Sequence, residues 1–216
     1  NGFNYLSHFT YVLASDGDLQ EPVALGSAAL AAHWKLAKLI MLYDSNKAQI
    51  SGQTNRSEST DIATVFEGFG WHIQTIDGHD HQAIREAIQK AQIIDRPSII
   101  IGQTVMAKGT ASMEGDHNTH GSPLPQAEID ASKELLGLPP ESFFIPDKVK
   151  RHFQRGFLNL GNQVEDWKKS LEIARKDGDF NQLSISETAM GKLGSTGNIV
   201  AALMLVLFSF IGWDRV

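Results

Sequence analysis

Short apolar segments alternate with helical patterns along the first two thirds of the chain. Three of these segments, at 11–14, 39–43 and 98–102, are almost continuously apolar, which is typical of strands buried on both faces. A fourth, at 71–76, alternates apolar and polar residues and also predicts a strand. Helices are predicted at 21–36, from 61 onwards and at 82–91. This alternation favours an α/β fold, a parallel β-sheet sandwiched by helices.

The last third of the chain has a different pattern. An amphipathic helix is predicted from Gln126 to the Gly137 turn, and one or two charged surface helices over 147–177. Residues 199–213 are almost wholly apolar, but the run is shorter than the roughly 20 residues that span a bilayer. A helix buried by sequence outside this chain, or a tail foreign to the fold, is therefore preferred to a membrane anchor.

Composition excludes several classes of protein. The chain has 216 residues, of which 42% are hydrophobic and 20% charged, so we expect a globular domain with one sizeable core. Its formal charge of −6, without a local cluster of Lys or Arg, argues against nucleic-acid binding. The absence of cysteine excludes disulfides and thiolate zinc sites. The start has no signal peptide and no methionine, as in a piece of a longer protein, and we expect a cytoplasmic location.

Polar residues follow the first two predicted strands. Asp16 and Gly17 come after the first strand, and Asn46 follows the second. Because the carboxyl ends of parallel strands meet at one edge of a sheet, these residues are expected to lie together. Carboxylate and amide oxygens suit Mg²⁺ or Ca²⁺, and Mg²⁺ commonly completes its coordination with substrate phosphates. The pattern indicates a metal and diphosphate site, although Asp16-Gly17 alone would be an ordinary turn.

Two loops and two histidine pairs are further candidates. Residues 48–60 predict a long loop over the metal site, and the aperiodic loop 104–124 is long enough to be functional. The group His79-Asp80-His81 could hold a metal, but Asp80 is better placed as the cap of the next helix. His117 and His120 could form half of a zinc site, or they could be polar loop residues near an anion.

Four segments together resemble the transketolase family of thiamine diphosphate enzymes. They read SDGDLQE at 15–21, YDSNK at 43–47, ISG at 50–52 and HNTHGSPL at 117–124. The resemblance covers about residues 8–150. It implies a thiamine-diphosphate-binding domain at 1–146, incomplete at its start, followed by a helical connecting segment at 147–196 and an apolar tail of unclear role at 197–216.

The resemblance implies a metal set made of the Asp16 carboxylate, the Asn46 side chain and the backbone carbonyl of Ala48. Gly17 would face the diphosphate. Where the family usually has Gly-Asp-Gly, this chain has Ser15, which requires an extended backbone and leaves room for a hydroxyl contact to the diphosphate. A second carboxylate, Asp18, would oppose anion binding unless its side chain points away.

The other implied residues surround the organic part of the cofactor and the substrate. Ile50 matches the residue that packs on the thiamine, and Met106 the apolar residue that borders the cofactor. His120 matches a histidine that reaches both diphosphate and substrate. Glu21 matches a glutamate at the interface of a homodimer, where it links the two active sites.

The implied reaction is transfer of a two-carbon ketol unit from a ketose phosphate to an aldose phosphate, with thiamine diphosphate and Mg²⁺ as cofactors. The sugar phosphates are then the substrates, and a pyrimidine-binding domain absent from this chain supplies the activating glutamate. Two alternatives stay open. One is another thiamine diphosphate enzyme, the first component of a 2-oxo acid dehydrogenase or a deoxyxylulose-phosphate synthase. The other is a non-catalytic cofactor-binding or assembly module.

Overall fold

The computed structural model describes residues 8–50 and 52–176. The apolar tail at 197–216 and the end of the connecting segment lie outside these residues. The strands and helices, in chain order, are β1 Thr10–Ser15, α1 Asp16–Leu19, α2 Pro22–His33, β2 Leu39–Ser45, β3 Ala48–Gln49, β4 Gly52–Gln53, α3 Ile62–Phe69, β5 His72–Asp77, α4 His81–Ala91, β6 Ser98–Gln103, α5 Gln126–Leu135 and α6 Asp147–Lys176. Single 3₁₀ turns lie at Thr54–Arg56 and His117–Thr119.

The four long strands form one parallel sheet in the order β1-β2-β6-β5. Ser15 of β1 pairs with Asp44 of β2, and Ser45 pairs with Gln103 of β6. The carboxyl ends of all four strands therefore meet at one edge. The α/β prediction is confirmed. Strands β1, β2 and β6 extend beyond their predicted apolar runs by one or two residues, and β5 is shifted by one residue from the predicted 71–76.

Helices cover both faces of this sheet. One face packs α2 and α3 against the buried side chains of Val12, Ala14, Met41, Tyr43, Ile99 and Ile101. The opposite face packs α4 against Ile40 and Ile100. Trp71 is buried on the α2 and α3 face, and its indole N–H donates to the carbonyl of Ala28 at 2.8 Å. This bond fixes the start of β5 to α2, because a buried indole N–H needs a partner.

The small residues of α2 are used within this core. Ala24, Ala28 and Ala31 recur at helical spacing and are buried, which lets the helix approach the sheet closely. Pro22 occupies the first helical position, as predicted, where its missing N–H costs nothing. The helix ends at His33, earlier than the predicted end at residue 36.

Local signals place the other helix ends. Asp61 caps α3 by accepting from the Thr64 amide, and Gly70 ends that helix with a left-handed conformation at φ +101°. Asp80 caps α4 by accepting from the amides of Gln82 and Ala83. The capping role predicted for Asp80 is confirmed.

The loop predicted at 48–60 is partly wrong. Ala48–Gln49 and Gly52–Gln53 form a short antiparallel pair, and a 3₁₀ turn follows at Thr54–Arg56. Gly52 has a φ of +133°, a conformation that side chains other than glycine rarely adopt. The hairpin therefore depends on a backbone feature that the polar composition of the segment did not show.

The described chain divides into two compact units, residues 8–138 and residues 139–176. The second contains α6, a single helix where the sequence allowed one or two. Its apolar side chains, including Phe153, Phe157 and Trp167, are largely exposed. Within residues 8–50 and 52–176, no helix is both long and apolar enough to cross a membrane.

Candidate functional site

The Asp16 carboxylate lies at the centre of the strand-end cluster and is only 8% exposed. Its Oδ1 accepts a 2.7 Å hydrogen bond from the Tyr43 hydroxyl. Its Oδ2 accepts from the backbone amides of Asn46 at 3.2 Å and Lys47 at 3.0 Å. Three donors from the end of β2 therefore hold one carboxylate from the end of β1.

The Tyr43 hydroxyl is a permanent donor to this carboxylate. Burial raises the pKa of Tyr43 far above its ordinary value, and the neighbouring Asp16 charge adds to this shift. Tyr43 itself is 7% exposed. Because the phenol stays protonated at neutral pH, it always has a proton to donate in this hydrogen bond.

Asn46 is oriented from two sides. Its Nδ2 donates to Asp44 at 3.2 Å, and its Oδ1 accepts from the Ala48 amide at 2.9 Å. Asp44 also accepts from the Thr104 hydroxyl, which lies just after β6. This network fixes which end of the amide carries the oxygen, and it connects the ends of β2 and β6.

The Ser15 hydroxyl is engaged within the protein. Ser15 donates to Asp18 Oδ2 through both its backbone amide, at 2.7 Å, and its hydroxyl, at 2.8 Å. Its backbone is extended, as the sequence required. The second carboxylate therefore stabilises the first turn of α1. Gly17 is exposed, and a methyl group built there would meet no protein atom within 4 Å, so this position is open to a ligand.

A cavity of about 580 Å³ opens beside this cluster. Its walls include Ser15, Asn46 and Met106 from the predicted set, together with the apolar side chains of Leu42 and Ile100. The volume lies within the roughly 300–1,000 Å³ typical of small-molecule sites. Apolar walls that end in a polar edge suit a ligand with an organic body and a charged end.

Met106 is held at this cavity by the long loop after β6. The Met106 carbonyl accepts from the Gly115 amide at 2.7 Å. Farther along, Glu128 of α5 accepts from the amide and hydroxyl of Ser112, each at 2.7 Å. Lys108 pairs with Glu114 at 2.6 Å. The predicted functional loop is thus aperiodic but extensively hydrogen-bonded.

His120 lies outside the cavity walls, after the 3₁₀ turn that packs against β4. Its Nδ1 is buried and has no hydrogen-bond partner in the protein. A buried polar atom without a partner is costly, and such an atom is a natural contact for a ligand. In His117, the other histidine of the pair, Nδ1 lies 3.9 Å from Oδ1 of Asp116.

Besides His120, Asp16 and Gly17, three more predicted residues do not line the cavity. Ile50 is 76% exposed at the tip of the β3–β4 hairpin. Glu21 is exposed and caps α2 with its backbone alone. Ala48 is buried at the start of β3, beside Asn46. The roles assigned to these residues stay predictions.

The donor set fits a hard cation better than zinc. Among residues 8–50 and 52–176, no group of three or more His, Cys, Asp or Glu side chains is arranged to hold a metal. The oxygens at the strand ends are a carboxylate, a side-chain amide and a nearby backbone carbonyl, which suit Mg²⁺ or Ca²⁺. The His79 group has another use, because His79 Nε2 accepts from the Val105 amide at 2.9 Å.

Comparison with known proteins places this chain in a family. The family model for the transketolase thiamine diphosphate binding domain matches residues 1–193. The chain belongs to the transketolase family. It is 38% identical to the transketolase of Sinorhizobium medicae over 188 residues, which are 87% of this chain and 27% of that protein. It is also 38% identical to a Staphylococcus aureus transketolase, over 79% of this chain and 26% of that protein.

Solved transketolase structures have the same fold. The structure from Campylobacter jejuni matches with a TM-score of 0.77 and 35% identity, covering 86% of this chain and 29% of that one. A Pichia stipitis transketolase in complex with sedoheptulose-7-phosphate matches with a TM-score of 0.74 and 29% identity, covering 80% and 26%. This transketolase-family chain thus spans about a quarter of the length of the relatives that it matches.

Four residues of the candidate site were not assigned their present roles from the sequence: Tyr43, Asp44, His79 and Thr104. Asp44 and Thr104 could have been noticed, because they stand at the ends of neighbouring strands. The sequence pattern did not predict the contact of the Tyr43 hydroxyl with Asp16, because Tyr43 is one residue of the apolar run that forms β2 in this transketolase-family chain.

Proposed function

We propose that this chain forms the metal and diphosphate half of a transketolase active site. In this proposal it binds thiamine diphosphate through Mg²⁺, for which Ca²⁺ can substitute. The observation that carries the proposal is the Asp16 carboxylate held by three donors beside Asn46 at the edge of the sheet. Asp16, the Asn46 Oδ1 and the Ala48 carbonyl are the proposed ligands.

The hydrogen bonding leaves room for a cation. A carboxylate has about four acceptor positions, and Asp16 uses three of them. A carbonyl oxygen has two, and Asn46 Oδ1 uses one for the Ala48 amide. Each proposed side-chain ligand therefore keeps an unused lone pair while its orientation is already fixed.

The surroundings suit the rest of the cofactor. Gly17 and Ser15 lie where a diphosphate would meet the start of α1, and Met106 borders the adjoining cavity. We assign the unpartnered Nδ1 of His120 to a contact with cofactor or substrate phosphate. Ile50, exposed at the hairpin tip, would be covered by the thiamine.

In the proposed reaction a ketol unit passes from a ketose phosphate to an aldose phosphate. Bound thiamine diphosphate supplies the carbon nucleophile for such a transfer. The residues of this chain bind the anionic end of the cofactor, orient it and neutralise its charge. That the substrates are sugar phosphates is supported by the Pichia stipitis structure, which holds sedoheptulose-7-phosphate.

Assembly and location complete the proposal. Glu21 would lie at the interface of a homodimer, and the pyrimidine-binding domain would complete the site, since the relatives are several times longer than the matched region. On the same family ground we propose a cytoplasmic location and a role in the pentose phosphate pathway.

The test is cofactor binding followed by turnover. Titration calorimetry of the 216 residues should show thiamine diphosphate binding that requires Mg²⁺ or Ca²⁺ and is abolished by chelation. Metal-independent binding, or no binding, would contradict the proposal.

The same preparation should not transfer ketol units from xylulose 5-phosphate to ribose 5-phosphate. Without the activating glutamate, it lacks a general-base contribution of about 10²–10⁴-fold. Turnover by a monodisperse monomer would show that the site is not split between domains. Turnover of pyruvate by the complete enzyme, without ketol transfer, would favour the other thiamine diphosphate enzymes.

A further inference from the structure

The turn between β5 and α4 is docked against the end of β6. The Gly78 amide donates to the Gln103 carbonyl at 2.8 Å. A Cβ atom built on Gly78 would lie 2.4 Å from the Thr104 methyl group and 3.1 Å from the Gln103 oxygen. A larger residue would have to displace the Thr104 side chain and shift the neighbouring backbone slightly, so the turn packs closely against the start of the loop after β6.

His79, the next residue, extends this contact into the cavity wall. Its Nε2 accepts from the Val105 amide at 2.9 Å, and its own amide donates to Asp77 Oδ1 at 2.8 Å. Because Nε2 accepts, the ring in this arrangement is neutral and carries its proton on Nδ1. His79 lines the cavity together with Val105 and Met106.

The hydrogen bond between His79 and Val105 lies where the loop after β6 bends. Thr104 is anchored toward β2, because its amide donates to the Ser45 carbonyl at 3.3 Å and its hydroxyl donates to Asp44. Ala107 has a φ of +53°, so the chain turns sharply just after Met106. The His79 contact to Val105 lies between these two points and restrains the backbone that carries Met106.

We propose that His79 is a positioning residue that holds Met106 against the organic part of the cofactor. This inference rests on the function proposed above. It predicts that His79 affects thiamine diphosphate binding but not the grip on metal and diphosphate, because Asp16 and Asn46 are oriented by other partners.

The experiment compares two ligands across three variants. Titration calorimetry measures binding of thiamine diphosphate with Mg²⁺, and of inorganic diphosphate with Mg²⁺. His79→Ala removes the acceptor. His79→Gln restores one, because its Oε1 lies the same number of bonds from Cα as the imidazole Nε2. His81→Ala is the matched control, an exposed histidine in the first turn of α4. Amide exchange at Val105 reports the hydrogen bond directly.

We expect His79→Ala to weaken thiamine diphosphate binding about tenfold, the factor for one ordinary hydrogen bond, and to leave diphosphate binding unchanged. Exchange at Val105 should accelerate in the same variant, and His79→Gln should restore both properties. Equal losses for both ligands, no loss, or a Gln variant as weak as the Ala variant would overturn the role of His79. If the unsubstituted protein binds no thiamine diphosphate, the proposed function fails, and the role of His79 fails with it.

Discussion

Removal of the Tyr43 hydroxyl tests how the candidate metal ligand is held. Tyr43→Phe keeps the aromatic ring in the core and deletes the 2.7 Å donor to Asp16 Oδ1. The carboxylate would keep its two backbone donors from Asn46 and Lys47. The variant should therefore fold, with a less stable and less well oriented carboxylate.

The size of the effect follows from burial and charge. Hydrogen bonds to charged groups contribute about 1.5–3 kcal/mol, and both partners are less than 9% exposed, so solvent cannot replace the lost donor easily. We expect the free energy of unfolding to fall by about this amount. Loss of an outer partner of a metal ligand typically weakens metal binding by about 10–100-fold, and the same loss is expected for Mg²⁺.

Tyr11→Phe is the matched control. The Tyr11 hydroxyl accepts a 2.7 Å hydrogen bond from Gln92, but Tyr11 is 43% exposed and remote from the metal ligands. Its loss should cost at most about 0.5 kcal/mol, as for surface substitutions in general. Urea denaturation gives the stability of each variant, and titration calorimetry gives Mg²⁺ affinity in the presence of thiamine diphosphate.

Equal stability of the two variants would refute the reasoning about the buried donor. Unchanged Mg²⁺ affinity in Tyr43→Phe would show that the hydroxyl does not orient the ligand. A loss of affinity without a loss of stability would confine the role of Tyr43 to the bound state.

Three further predictions concern the charged residues. Asp16→Ala should abolish measurable Mg²⁺-dependent cofactor binding in calorimetry. Asp18→Ala should chiefly lower the free energy of unfolding, by the roughly 0.5–2 kcal/mol of a helix cap. Equal losses of cofactor binding in the two variants would contradict the assignment of Asp16 as the ligand. His120→Ala should weaken cofactor binding by about 1–3 kcal/mol, while His81→Ala leaves it unchanged; an unaffected His120 variant would remove this residue from the site. Burial, with repulsion from nearby cations, lowers the pKa of His72 in the folded protein. The contribution of His72 to stability is therefore fully present above its unfolded pKa of about 6.5 and is lost as the pH falls through the folded pKa. Urea denaturation between pH 7 and 5 should show a smaller loss of stability in His72→Gln than in the unsubstituted protein, and identical slopes would contradict the shift.

The candidate site was predictable where chemistry and chain position coincide. Asp16 and Asn46 each follow an apolar strand, and parallel strands bring such positions to one edge, so the structure places them within hydrogen-bonding distance. Asp80 was predictable as a cap because the signal is local to its own helix. Predictions of this kind need only the hydrophobic period of a segment and the identity of the residues next to it in the sequence.

Other features could not be read from the sequence, because they depend on contacts or backbone torsions that composition does not show. His79 was considered from the sequence only as part of a possible metal group, and its acceptor role exists only because β5 and β6 are adjacent in the sheet. The sequence did not show that Asp18, which lines the cavity, also accepts from the amide and hydroxyl of Ser15. The hairpin at Ala48–Gln53 needed a backbone torsion at Gly52 that composition does not encode.

The strand and helix periods, the α/β class and the residue types at the strand ends could all be read from the sequence, because they follow from local hydrophobic pattern and turn chemistry. Two features became visible only in the folded chain: the donors that hold Asp16, and the buried nitrogen of His120 that has no partner. The physical reason is that hydrogen bonds and burial depend on distances between segments, and these are set by the strand order and the packing of the whole core.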